Sequence, residues 1–306
     1  MNDRPHRLAR VVVITRPTPL EQLIARYGTY AQAKFILAST GESIDWYEAT
    51  HERLELGLGR SLQGIPQDRP YTRVERHDLD RFLFSADDLV MIVGQDGLVA
   101  NVAKYLDGQY TIGVNPDPER YDGVLCRHAP EHVAALTANA LEGDPRWRIE
   151  ARTLAEARCD DGQRLLALNE IFIGHISHQS ARYRLRAGAV EERHSSSGVI
   201  VSTGSGASGW ARSIVQQRGL DLDLPEVDEA RLTWFVREPW PSVATAASLD
   251  VGIVDANTPL DIASEMSEGG VIFADGIESD RIDFVSGRRV QLHVAERRLN
   301  LVVPAS

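Results

Sequence analysis

Three short segments of the 306-residue sequence combine reactive or polar side chains with backbone suited to an anion. The first is Gly94-Gln95-Asp96-Gly97, which follows the apolar run Leu89-Val90-Met91-Ile92-Val93 and precedes helical spacing over 98–106. Glycines let backbone approach a phosphate, and the free N–H groups of a helix N-terminus attract one. A carboxylate there could accept a proton from a hydroxyl attacking a bound triphosphate. The same four residues would equally make a tight turn in which Asp96 only caps the helix. The second segment is Asn169-Glu170, set in the apolar stretch 168–173. Glutamate is rarely buried without a partner, and asparagine offers the donor and acceptor that suit a purine edge. An edge strand with solvent-facing polar groups is the other reading. The third is Ser202-Thr203-Gly204-Ser205-Gly206-Ala207-Ser208-Gly209-Trp210, a hydroxyl-rich loop between a strand and a helix. Its glycines fit the dinucleotide-binding spacing, but no βαβ unit surrounds it, so a polar loop wrapping a nucleotide fits better. A surface loop would also account for it. His175 with His178, and His128 with His132, lack the partners of a zinc site, and no protein metal site is expected.

The elements that must position these segments change character along the chain. Val11-Val12-Val13-Ile14 reads as a strand buried on both faces. Helical patterns cover 20–37, broken or strained at Gly28, and 44–62; strands follow near Val74, at 89–93 and at 110–114. This alternation predicts a parallel, doubly wound sheet. Beyond the turn cluster Gly143-Asp144-Pro145 the pattern is strand-rich: 148–157, 164–173, 182–186, 199–201, 233–236, 260–263, 271–274, 290–295 and 299–303, with one helix over 210–217. The expected division is an α/β domain over 1–135 and a β-rich domain over 136–306.

Composition excludes several classes. With 44 acidic against 33 basic residues the net charge is −11, a poor balance for holding a nucleic-acid backbone. Lys34 and Lys104 are the only lysines, so 33 − 2 = 31 basic residues are arginine. No Gly-Lys pair exists, which rules out a Walker A loop. Phosphate chemistry here must use backbone amides, arginine or a metal. Cys126 and Cys159 make no disulfide framework. The apolar runs fall far short of the roughly 20 residues of a membrane span. A soluble, cytoplasmic protein is expected.

In this order the segments resemble the ATP-dependent NAD kinase family, which belongs to a superfamily with diacylglycerol and sphingosine kinases. Gly94-Gln95-Asp96-Gly97 stands where the family has Gly-Gly-Asp-Gly-Thr, and Gly113-Val114-Asn115 with Pro116-Asp117-Pro118 looks like its next strand and loop. Residues 167–174 resemble its Asn-Glu segment. Ser196-Ser197-Gly198 leading into Thr203-Gly204-Ser205-Gly206 and Trp210 is most similar to the mitochondrial-type branch, and Ala274-Asp275-Gly276 to a late Asp-Gly turn. The resemblance implies a Rossmann-like N-terminal domain, a C-terminal β-sandwich and an active site between them. It implies transfer of the ATP γ-phosphate to the 2′-hydroxyl of the adenosine ribose of NAD, with Mg²⁺, in a homodimer. By position, Asp96 would be the base, and Gly94, Gln95, Gly97 and Asn115 would contact phosphates or ATP. Asn169, Glu170, Ser197, Thr203, Ser205, Ser208 and Trp210 would hold NAD. Gln95 and Leu98 depart from the family's glycine and threonine, and the family's C-terminal helix is not expected after the strand ending near Val303. A diverged kinase for another nucleoside, sugar or lipid hydroxyl, and a nucleotide-binding regulator without turnover, are the alternative readings.

Overall fold

Val11, Val12, Val13 and Ile14 are all buried, although successive strand side chains point to opposite faces. The strand they form, β1 (Arg10–Thr15), is therefore covered on both sides. The computed structural model describes residues 8–142 and 148–304; the Gly143-Asp144-Pro145 cluster lies outside them. After β1 come helices α1 (Pro19–Tyr27), α2 (Tyr30–Ser39) and α3 (Asp45–Gln63). The helix expected over 20–37 is thus two, because Gly28 takes φ +84° and ends the first. Strands β2 (Tyr71–Glu75) and β3 (Asp88–Val93), helix α4 (Asp96–Ala103), strand β4 (Tyr110–Val114) and helix α5 (Val133–Glu142) follow. The four strands are parallel in the order β2-β1-β3-β4. The chain steps from β1 to β2, then returns to the opposite side of β1 for β3. The loops leaving β1 and β3 consequently flank the point where the order reverses, the place at which open α/β sheets bind ligands.

The chain divides into Met1–Ile149 with Asn300–Ser306, and Glu150–Leu299. The division falls after the expected residue 135 because α5 belongs to the first unit: Val133, with Leu136 beside it, joins Leu58, Val11, Val13, Leu89 and Met91 in one core. The final residues also return, with Asn300–Val302 pairing parallel to Tyr110–Ile112 of β4. Asp88, fully buried at the start of β3, fixes the register of the parallel sheet. It accepts from Arg10 at 2.7 and 3.0 Å and from the N–H of Ser85 at 2.7 Å.

The second unit is a β-sandwich. Its strands are β5 (Arg148–Cys159), β6 (Arg164–Ala167), β7 (Glu170–His175), β8 (Ala181–Ala187), β9 (Val190–Ser196), β10 (Val199–Ser202), β11 (Leu232–Val236), β12 (Val251–Val254), β13 (Leu260–Ser264), β14 (Gly270–Ala274), β15 (Ile282–Asp283) and β16 (Arg289–Val303), with α6 (Trp210–Arg218) after β10. One sheet runs β16-β13-β8-β9, with β5 pairing both β16 and β6; the other runs β12-β11-β10-β7-β14-β15. Ile171, Val201, Trp234, Tyr183, Ile262 and Leu292 meet in the core between them. The opposite face of the second sheet carries Phe172, Ile200 and Phe235 against Ala211 and Ile214 of α6. The strand expected over 164–173 is two strands broken at Leu168-Asn169, and 290–295 with 299–303 form the single strand β16.

Replacing Asp88 by alanine leaves the Arg10 guanidinium without its carboxylate and an N–H without an acceptor. Because Arg10 is partly exposed, the loss should be about 2–3 kcal/mol, below the roughly 3–5 kcal/mol that breaking a fully buried pair costs. The midpoint of chemical unfolding checks it; an unchanged midpoint would contradict the role given to Asp88.

Candidate active site in two loop clusters

The first cluster lies at the carboxyl ends of the parallel strands. Gly94 continues the ladder, its N–H donating to Val114 O at 3.0 Å, and α4 then begins at Asp96. Asp96 does not cap its own helix. Its Oδ2 accepts from the N–H of Val124 at 2.8 Å, and its Oδ1 from Leu125 and Cys126, both at 2.9 Å. A carboxylate has about four lone-pair sites. Three are taken, and the open one is on Oδ2. Asp96, Gly94, Gln95, Gly97, Asn115 and Asp122 are among the residues lining a cavity of about 490 Å³. Gly97 has an ordinary φ, and a Cβ there would meet nothing within 4 Å. Neither backbone strain nor packing calls for a glycine at 97, whereas a ligand approaching the backbone would. Asn115 lines the cavity with its amide already engaged: Nδ2 donates to Tyr121 O at 2.6 Å and Oδ1 accepts from Asp117 N at 3.0 Å. Burial, and secondly the charge of Asp96, push the Cys126 thiol far up, so it stays neutral. Leu98, which stands at the position of the family's threonine, is buried.

The second cluster is tied by Asp275, which sequence reasoning did not place in the site. Its carboxylate accepts from the N–H groups of Leu168, Asn169 and Glu170 at 3.1, 2.7 and 3.4 Å. These bonds break the expected strand and present Asn169-Glu170 at the start of β7. Asp275 holds φ +53°, the left-handed conformation that an Asp-Gly turn tolerates. Thr203 completes the knot from the other side. Its hydroxyl donates toward Leu168 O at 2.5 Å and accepts from Ser205 N at 3.1 Å. Gly206 packs so close that a Cβ would stand 2.3 Å from Asn169 O. Glycine at 206 therefore serves chain packing, not phosphate approach.

The predicted NAD-binding residues do not all converge. Asn169, Glu170, Thr203 and Ser205 share the knot, and Ser205 Oγ also accepts from Arg152 at 3.1 Å. Thr203 is fully buried, so its hydroxyl serves the loop. Ser208 is exposed on the short turn before α6. Trp210 packs α6 onto the sheet, stacked on Phe172 at 6.1 Å with the Arg237 guanidinium 4.9 Å from its ring centre. Ser197 precedes β10 while Thr203 follows it, which puts them at opposite ends of a strand roughly 13 Å long. Among the described residues the grouping that could bring three metal ligands together is Glu21, His51 and Glu55, outside the Asp96 cavity.

No protein-family model matches the chain. It is 28% identical over 263 residues to the mitochondrial NAD kinase 2 of Rattus norvegicus, covering 69% of this chain and 61% of that protein. Against the Homo sapiens counterpart it is 28% identical over 262 residues, covering 69% and 59%. The chain thus spans about six tenths of the length of these relatives. The crystal structure of yeast NADH kinase complexed with NADH superimposes with a TM-score of 0.57 at 13% identity, over 97% of this chain and 84% of that one. The chain resembles the NAD kinases in sequence and in fold. Of the residues that carried the resemblance, Asp96 and Asn115 lie in the first cluster and Asn169, Glu170, Thr203 and Asp275 in the second, whereas Ser197 and Trp210 lie outside both.

Glu170 gives the second cluster a measurable signature. Burial, and secondly the Asp275 charge, push its carboxyl from the ordinary 4.5 to about 7. A carboxyl raised on folding is favoured in its neutral form. Its contribution to stability is full below pH 4.5 and is lost as pH rises through about 7. The Glu170→Gln variant carries a neutral group at every pH, so its unfolding midpoint should fall less than the wild type's between pH 5 and 8. Parallel profiles for the two proteins would refute the raised value.

Proposed function

We propose that this chain is an NAD kinase, transferring the terminal phosphate of ATP to the 2′-hydroxyl of the adenosine ribose of NAD. The observation that carries this reading is Asp96, a carboxylate fixed by three N–H groups, with one open acceptor position, in a cavity beside a glycine that packing does not require. The likeness to NAD kinase 2 proteins supports it.

In that reaction Asp96 Oδ2 accepts the proton of the ribose 2′-hydroxyl. The hydroxyl oxygen forms the new bond to the γ-phosphorus as the bond to the β-phosphate oxygen breaks, and ADP leaves with that electron pair. The three N–H donors hold the carboxylate in one orientation before substrate arrives, so no reorganisation is needed at the moment of transfer. Asp122, on the same cavity wall, would hold Mg²⁺ together with the phosphate oxygens of the nucleotide, since Mg²⁺ binds through one or two carboxylates plus phosphates. When bound it neutralises phosphate charge. Asn169 offers both a donor and an acceptor to the adenine edge.

The test is NADP formation from NAD, ATP and Mg²⁺, read by an NADP-specific dehydrogenase. The protein should turn over, and Asp96→Asn should lower kcat by about 10²–10⁴-fold, the usual range for loss of a general base. Normal turnover in that variant would remove Asp96 from the chemistry. Phosphorylation of other alcohols with NAD untouched would favour a diverged kinase.

A further inference from the structure

The first unit leaves three arginines without a carboxylate at the point where its strand order reverses. Arg16 directly follows β1, and Gln95 lies two residues beyond the end of the adjacent β3. Arg16 Nη2 donates to Gln95 Oε1 at 2.6 Å, joining the two loops that diverge there. Arg73 and Arg16 line one small cavity with Gly94 and Gln95, and Arg73 Nε donates to Thr15 Oγ1 at 3.2 Å. Burial, and secondly the nearby charge of Arg76, push the Arg16 guanidinium downward, against a smaller upward pull from Tyr121 of the Asp96 cavity. Among the described residues no carboxylate forms an ion pair with Arg16, Arg73 or Arg76. Elsewhere in the same unit arginines are paired, Arg10 with Asp88 and Arg53 with Asp117. In a chain with 44 acidic residues, a half-buried guanidinium beside a second one and bonded to a neutral amide is short of an anion. Glu55 of α3 lines the same small cavity, but Glu21 and His51 stand beside it.

Gln95 is the link to the cavity of Asp96, because it lines both spaces. Its side chain turns toward Arg16, and its amide oxygen occupies a position that a phosphate oxygen would suit equally well. An arginine fork matches phosphate geometry with two parallel N–H bonds, which a single amide oxygen cannot engage.

We propose that Arg16, with Arg73 in the same small cavity, binds the phosphate tail of the phosphoryl donor, and that Gln95 holds the guanidinium in the donor's absence. This rests on the kinase reading only in calling the anion a donor. The chemistry recognised is a chain of linked phosphates, carried by a nucleoside triphosphate or by inorganic polyphosphate.

Calorimetric titration of the full chain with inorganic tripolyphosphate, Mg-ATP, adenosine and NAD tests it without turnover. The wild type should bind tripolyphosphate. Arg16→Gln should weaken tripolyphosphate and Mg-ATP at least tenfold while leaving adenosine and NAD unchanged, and Arg16→Lys should recover part of the loss. Arg73 is exposed, so Arg73→Gln supplies a variant that leaves the core intact, with an expected several-fold loss. Tripolyphosphate affinity that is absent in the wild type, or equal in the wild type and both glutamine variants, overturns the proposal. Mg-ATP binding at least tenfold more tightly than tripolyphosphate identifies the nucleoside triphosphate as the source; equal affinity identifies polyphosphate. Arginine-dependent tripolyphosphate binding without NADP formation would sustain this site and defeat the kinase reading.

Discussion

Each unit of this protein holds one irregular loop with an aspartate that accepts three successive backbone N–H groups. Asp96 takes those of Val124, Leu125 and Cys126; Asp275 takes those of Leu168, Asn169 and Glu170. Chain that leaves a strand or helix loses its ladder partners, and a buried N–H without an acceptor is costly. An ionised carboxylate answers several such donors at once, with bonds stronger than those between neutral groups. The irregular segments that carry Asn169-Glu170 and the wall of the Asp96 cavity exist in these positions because a charged acceptor is provided for them.

That solution shapes the chemistry. At Asp96 it leaves one open acceptor position, so the group that organises the loop also keeps a free lone pair at the cavity. At Glu170 the consequence is electrostatic. The Asp275 charge that ties the knot adds to burial in raising the neighbouring carboxyl. An asparagine beside a carboxyl that is neutral over part of the physiological range presents hydrogen-bonding groups without a fixed negative charge.

Local pattern made the parallel strands legible. Val11-Val12-Val13-Ile14 and residues 89–93 are apolar at every position because both faces of their sheet are covered. The break at Gly28 and helix α6 were equally readable, since caps and periodicity are local. The split of 164–173 was not, because the cause is Asp275, more than a hundred residues away. Strand β9, with its run Glu191-Glu192-Arg193, looks polar because alternate residues face solvent while His194 and Ser196 are buried. In the loop after β10 the glycines fit a dinucleotide-binding spacing with no βαβ unit around them, and Gly206 is needed for close passage of the chain past Asn169. Glycine content alone does not separate these uses. The surroundings of a hypothetical Cβ do, and they favour ligand approach at Gly97.

The scarcity of lysine acquires a structural counterpart at the β1–β3 reversal. A Walker A loop places its amides and its cation in one segment, on a flexible ammonium that reaches phosphate from the same turn. In this chain the amides belong to the loop after β3, and a cation bonded to that loop, Arg16, to the loop after β1. A guanidinium is suited to such a division. It keeps its charge when half-buried, and its planar fork can bond a neighbouring loop with one nitrogen and an incoming anion with others. Gln95, the residue that departs most from the glycine loop it resembles, is the side chain that makes this bond. The departure at 95 and the arginine at 16 are thus two halves of one arrangement, and a return to glycine at 95 would free the guanidinium rather than restore a missing contact.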